Sequence, residues 1–217
     1  MKNKGLLVDL RNNGGGSLKT VVDMVGMFIK NGPVVQVKYP DNDKQILYDR
    51  DRSVEWEGPL VILVNENSAS ASEIMAAALQ DYNRAIVIGG DQTWGKGTVQ
   101  NVYPLNRMVR GNTNGDLGAL RYTTQKYYRI NGGSVQLEGV KSDIVVPYKF
   151  RYLDFGEKDY VNPLQCDEIQ SADFQLWESN FSFKSAIDSS KSRIESNKYL
   201  TIIDKNAKWI KKIRDDK

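Results

Sequence analysis

The run Pro-Leu-Val-Ile-Leu-Val-Asn at residues 59 to 65 is the most apolar in the chain, and it limits the folds open to the rest. An uncharged run of this length suits a strand at the centre of a sheet. Directly after it, Met75, Ala78, Leu79 and Tyr82 repeat at helical spacing, and RAIVIGG, residues 84 to 90, returns as a strand. The same alternation stands upstream. GLLVDLR, residues 5 to 11, predicts a buried strand that ends in the turn formers NNGGGS. Leu18, Val21, Val22 and Val25 then predict a helix that Gly32-Pro33 stops. Alternating strands and helices place the chain in the α/β class.

Further elements follow from turn signals. VVQVKYP and QILYDR flank the polar turn DNDK as a pair of strands, and TVQNVYPL begins another strand after the loop DQTWGKG. Residues 107–118 form a polar, glycine-rich loop. GALRYTTQKYYRI and SVQLEGV, joined across Asn131-Gly132-Gly133, predict a hairpin. SDIVVP closes this region near Pro147. Beyond it the chain turns aromatic and irregular, then from about Phe183 to Arg214 polar with sparse apolar residues at helical spacing. A boundary between Tyr148 and Asp159 divides a core, 1–150, from a small, mainly helical region, 151–217.

Composition excludes more than it suggests. With 217 residues the chain can bury one sizeable core and a smaller appendage. Thirty basic against 27 acidic residues leave +3, interspersed, which argues for neither nucleic acid nor a membrane surface. The basic tail KNAKWIKKIRDDK reads as a solvated helix face. Cys166 is alone, so no internal disulfide forms, and cysteine usage does not separate cytoplasm from periplasm. No apolar run approaches the length of a membrane span, and MKNKGLLVDLRNN is too short and too soon polar for a signal peptide. The chain reads as soluble and as a piece of something longer. Histidine is absent, which rules out a Ser-His-Asp triad, a cysteine-histidine pair and histidine-based metal sites.

Chemistry must come from elsewhere, and NSASASEIMAAALQ, residues 67 to 80, is the place to look. Ser70-x-x-Glu73 fits a capping box, in which Ser70 bonds the Glu73 amide and Glu73 reaches back. It equally fits a nucleophile on a sharp strand-to-helix turn, where the amide of Ala71 and the positive helix end favour a developing anion. Both readings stay open. Without histidine, a base must be a lysine, a carboxylate or an N-terminal amine. Lysine needs desolvation, since its free pKa is about 10.4. In TWGKGTVQ, Lys96 stands between Gly95 and Gly97 with Trp94 available to exclude water. The plain alternative is an exposed loop lysine between turn glycines.

NSASASEIMAAALQDY followed by GKGTVQ resembles the C-terminal processing, or tail-specific, peptidases, which are Ser-Lys proteases. VDLRNNGGGSL resembles their glycine-rich loop, and GVKSDIVVP their G-V-x-P-D-I signature. These motifs run in order from Gly5 to about Pro147, and NPLQCDEIQSADF looks like the C-terminal extension of the larger, bacterial periplasmic branch. The resemblance implies a ClpP/crotonase-like core of ββα units with a mixed sheet and flanking helices. It makes Ser70 the nucleophile, Lys96 the general base and Gln100 the group that orients it. Ala71 and Gly16, with Gly15 one register away, would hold the oxyanion. Asp81 matches a position linked to activity in some relatives, and a structural role at the helix end suits it as well. Implied substrates are protein or peptide chains with exposed, unstructured C-termini, with no metal or organic cofactor. A PDZ domain and an N-terminal helical part would precede this segment in an exported, periplasmic or cell-envelope protein. Relatives that only bind peptides or apolar ligands leave a non-catalytic module, or an inactive fragment, as the other reading. Three departures stand out: the Lys96 loop is one residue longer than usual, its aromatic is not the usual one, and Ser142 replaces a proline.

Overall fold

The computed structural model describes residues 5–153, 155–179 and 182–216; expectations about Met1 fall outside them. Strands β1 (Leu6–Asp9), β4 (Leu60–Val64), β5 (Ile86–Gly89) and β8 (Ile144–Val145) form a parallel sheet in the order β1-β4-β5-β8. Strands β2 (Gly32–Lys38), β3 (Lys44–Asp49), β6 (Thr98–Pro104) and β7 (Ala119–Tyr128) form an antiparallel one, ordered β3-β2-β7-β6. The α/β class holds, with parallel and antiparallel pairing divided between two sheets. Helices α1 (Leu18–Gly26) and α2 (Ala71–Asp81) pack together beside them.

The core explains the alanine-rich stretch. Every residue of α2 from Ala71 to Leu79 is buried, so apart from Glu73 this stretch carries apolar or small side chains all round, as a helix inside a core must. It packs with Val21, Val22 and Val25 of α1, Val34, Val35 and Val37 of β2, and Leu60, Ile62 and Val64 of β4. Each such large aliphatic side chain contributes ~1.5–3 kcal/mol by leaving water. As its composition requires, β4 lies inside the parallel sheet, between β1 and β5.

Three expectations are corrected. β1 is an edge strand, not a buried one, and Leu6 and Leu7 are exposed. α1 ends at Gly26, well before Gly32-Pro33, because the Met27 carbonyl accepts the amides of Glu55 and Trp56 from a crossing loop. SVQLEGV forms no strand. Both edges of β7 are already taken, by β2 and β6, and the chain after it closes a tight turn, Gly132 NH donating to the Arg129 carbonyl at 3.1 Å. Gly132 has φ +92°, and the Ile169 carbonyl would lie 2.1 Å from any Cβ there, so only glycine fits. Gln136, read as part of a strand, is wholly buried, and its side-chain oxygen accepts the Gly97 amide at 2.8 Å.

The C-terminal region first runs back along the core. Ile169, Ala172 and Trp177 donate their amides to Gly132, Ile130 and Tyr82, and the Phe174 ring meets Tyr82 edge-on at 5.4 Å. Helices α3 (Phe183–Glu195) and α4 (Lys198–Asp215) follow. Arg151 joins Asp91 of the core (2.8 Å) to Asp204 of α4 (3.0 Å). Buried Arg84 donates to the carbonyls of Phe28 (2.8 Å), Gly58 (3.0 Å) and Trp56, and stacks over Trp177.

Candidate active site

The turn between β4 and α2 puts Ser70 at φ 56°, ψ −115°, a conformation that costs a non-glycine residue about 1–3 kcal/mol and recurs at functional turns. Neighbours hold it from both sides. The Asn13 carbonyl accepts the Ala69 amide and the Ser72 hydroxyl, both at 3.0 Å. Ser68 is buried and donates to the Leu10 carbonyl at 2.8 Å. Ser68 and Ser72 are thus bound to the frame, which leaves Ser70 as the serine facing the cleft.

The cap and the cleft-facing serine are both present at this turn. Ser70 and Glu73 keep capping-box register, and the Ser70 amide donates to Glu73 Oε2 at 2.8 Å. The Ser70 side chain stands in capping-box position toward the Glu73 amide, although no hydrogen bond of normal geometry joins them; that amide donates to the Ser70 backbone carbonyl at 2.8 Å.

Glu73 does more than cap. It is fully buried, and its carboxylate accepts four donors: Ser70 NH, Lys96 NH (3.0 Å), Gly95 NH (2.7 Å) and the Thr93 hydroxyl (2.6 Å). Burial pushes its carboxyl up to about 7 against the pull of these donors. The loop that carries Lys96 is thereby fastened to the turn that carries Ser70. Tyr127, also buried, adds a second fastening: its hydroxyl reaches the carbonyls of Lys96 (2.5 Å) and Ser70 (3.2 Å). In sequence Glu73 read only as a cap and Tyr127 only as a strand residue. The one available signal was an acidic residue inside an otherwise apolar helix.

Between these elements lies a cleft of about 310 Å³, lined by Gly14, Gly15, Gly16, Ser70, Ala71, Lys96, Gln100 and Arg121 among others. The Lys96 ammonium nitrogen donates to Gln100 Oε1 at 3.2 Å. A bulge between Val99 and Gln100 in β6 turns both of these residues to the cleft. Burial lowers the Lys96 pKa from its ordinary value, and the Arg121 cation lowers it further, while Glu157 and Glu73 oppose the shift.

The two glycines separate. Gly15 has φ +95° and packs so closely that a Cβ would lie 2.6 Å from the Ala69 carbonyl and 2.8 Å from the Ala71 nitrogen. Its amide is spent on Asn13 Oδ1 at 2.9 Å. Among the described residues, the amides of Gly16 and Ala71 have no protein acceptor, which suits both to an incoming oxyanion.

Two sequence expectations land elsewhere. Asp81 sits at the far end of α2, roughly 15 Å along the helix from Ala71, paired with Arg129 and Asn131. It does not line the cleft. Trp94, expected to shield Lys96, faces away into the C-terminal region. Its indole NH donates to Glu157 Oε2 and its carbonyl accepts the Glu157 amide, both at 3.0 Å, and its ring meets Tyr160. Thr98 and Tyr127, both buried, line the cleft with Lys96.

Among the described residues no group of acidic, cysteine or histidine side chains is arranged to hold a metal, and no helix is long and apolar enough to cross a membrane.

Comparison with known proteins fits this geometry. Residues 1–146 match peptidase family S41, and residues 150–217 match the C-terminal domain of tail specific protease. The chain is 46% identical over 173 residues to a tail-specific protease of Haemophilus influenzae, covering 80% of this chain and 25% of that protein. It is 33% identical to a carboxy-terminal processing protease of Bacillus subtilis over 72% of this chain and 32% of the relative. Among solved structures it resembles the photosystem II D1 C-terminal processing protease, with a TM-score of 0.55 and 32% identity over 65% of this chain and 34% of that one. The chain therefore spans between a quarter and a third of these relatives' length.

Proposed function

The chain belongs to peptidase family S41, and on that premise we propose that it forms the catalytic part of a serine endopeptidase that cuts protein or peptide chains near unstructured C-termini. The observation that carries the reading is the shared cleft: Ser70 on its wall, Lys96 with its proton affinity lowered, and two unspent amides beside them.

In this mechanism neutral Lys96 takes the proton of the Ser70 hydroxyl as the oxygen attacks the substrate carbonyl. The amides of Ala71 and Gly16 hold the resulting oxyanion; losing one such donor typically costs about 3–4 kcal/mol in the barrier. Collapse breaks the C–N bond, and the Lys96 ammonium gives its proton to the departing amine. Water, deprotonated by the same lysine, then attacks the acyl carbon and frees Ser70. Gln100 holds the lysine nitrogen on station through its side-chain oxygen. No step calls for a metal or an organic cofactor. From the family resemblance of the motifs alone, we propose further that a PDZ domain elsewhere in the protein delivers C-termini and that the compartment is the periplasm or cell envelope.

The test is hydrolysis of an unstructured peptide by the longest chain that carries this segment, beside Ser70→Ala and Lys96→Ala. We expect both variants to lose at least about a thousandfold in kcat/KM. Equal turnover by all three proteins would overturn the dyad.

A further inference from the structure

Besides Lys96, the cleft is lined by one more cation, Arg121 of β7. Its partner across the ladder is Val102 of β6, two residues past Gln100, so it stands on the same rim as the lysine's anchor. Arg121 is exposed, and among the described residues its guanidinium has no ion-pair partner. Carboxylates that might have taken that place are engaged elsewhere. Glu73 is buried behind the cleft with both oxygens occupied, and Glu157 holds the Trp94 indole. No acidic residue is among those that line the cleft.

The remaining potential of the cavity is positive as well. The amides of Ala71 and Gly16 are unspent, and the N-terminal end of α2 opens into it. Once Lys96 is neutral, as a base must be, Arg121 is the full charge left on the wall. A guanidinium offers a planar fork that matches a carboxylate in two parallel hydrogen bonds.

We propose that Arg121 binds a carboxylate of the substrate chain, so that the cleft prefers peptides carrying an acidic group near the bond that is cut. This rests on the peptidase reading of the cleft and adds a specificity-determining residue to it. Two sources share that chemistry: an acidic side chain beside the scissile bond, and the substrate's own terminal carboxylate when the cut falls close to the end.

Three peptides of otherwise identical sequence separate them: one with a glutamate and a free C-terminus, one with glutamine in its place, and one amidated at the C-terminus. kcat/KM is measured for each in the longest available chain, with Arg121→Gln and Arg121→Lys beside the wild type. The wild type should favour the fully acidic peptide by about fivefold over whichever neutralised peptide lacks the contacted group. Arg121→Gln should bring that ratio to near one, and Arg121→Lys should keep part of it. A ratio within one protein cancels any change that Arg121 makes to Lys96. A uniform drop on all three peptides, or no discrimination by the wild type, overturns the proposal. Fluorescence anisotropy of the same peptides on the Ser70→Ala background supplies a readout that needs no turnover. Cleavage that survives Ser70→Ala sinks the peptidase mechanism, whereas equal binding of all three peptides sinks the role of Arg121 alone.

Discussion

Glu73 Oε2 accepts the backbone amide of Ser70 at 2.8 Å and that of Lys96 at 3.0 Å, so one buried oxygen fixes the position of a turn and of a loop separated in sequence. Serine and lysine line one cleft because their main chains are tied; among the described residues no hydrogen bond joins their side chains, and Lys96 Nζ donates to Gln100. Glu73→Gln would point an amide NH₂ at backbone donors that need an acceptor. We expect kcat/KM to fall about a hundredfold, chiefly in kcat, as expected for misplacement of about 1 Å. Thermal unfolding should also drop by several degrees, since an unmet buried donor costs about 1–3 kcal/mol. Unchanged kcat in a folded Glu73→Gln protein would show that the tie is dispensable.

Activity should rise with pH as Lys96 loses its proton, with a midpoint below the ordinary lysine value of 10.5, because burial and then Arg121 disfavour the ammonium. Glu157 acts in the opposite sense. Glu157→Gln removes a negative charge that stabilises the ammonium, while a side-chain oxygen remains for the Trp94 indole, so the midpoint should move to lower pH. Arg121→Gln should move it to higher pH. Profiles of kcat/KM against pH read both shifts, and midpoints that stay fixed in both variants would remove Lys96 as the base.

Gly15→Ala places a methyl group 2.6 Å from the Ala69 carbonyl in a backbone conformation that alanine resists. The Ser70 turn must shift to admit it. Destabilisation of about 1–3 kcal/mol is expected, with kcat falling further than stability alone would explain. Gly16→Ala meets nothing within 4 Å and should leave the unfolding midpoint close to wild type in the same melting experiment.

Arg84 is a structural counterpart. Its guanidinium satisfies carbonyls from the exit of α1 and from the 56–58 loop, and it supports Trp177. Arg84→Leu strands those carbonyls and should cost roughly 3–5 kcal/mol in denaturant unfolding. A loss below about 1 kcal/mol would mean that water reaches the site.

Asp81→Ala removes the partner of half-buried Arg129 and should lower stability, with activity falling only as folded protein falls. Circular dichroism and peptide hydrolysis on the same samples separate the two. A fully folded, inactive Asp81→Ala protein would return Asp81 to the catalytic machinery.

Much of this fold and cleft is legible in the sequence. Period and turn chemistry located α2, β4 and β5, because a buried helix and a central strand need continuous apolar residues. Ser70, Lys96, Gln100, Ala71 and Gly16, named from their motifs, do come to one cleft. What escaped was decided at long range. SVQLEGV alternates like a strand, yet β7 had no free edge to offer it. Glu73 carries a local signal for a cap, and its three partners beyond Ser70 lie in the loop at Thr93, Gly95 and Lys96. Adjacency in sequence puts Trp94 beside Lys96, whereas its packing is set by Glu157 and Tyr160, far along the chain.

The clasp between Trp94 and Glu157 has a meaning for how such a protein can change over generations. Glu157 belongs to the C-terminal region, contributes nothing to the walls of the cleft, and still weighs on the proton affinity of Lys96. Substitutions in the extension can therefore shift the proton affinity of Lys96 while every residue that lines the cleft stays as it was. Charge environment and cleft lining become separately adjustable, one written in the extension and the other in the core.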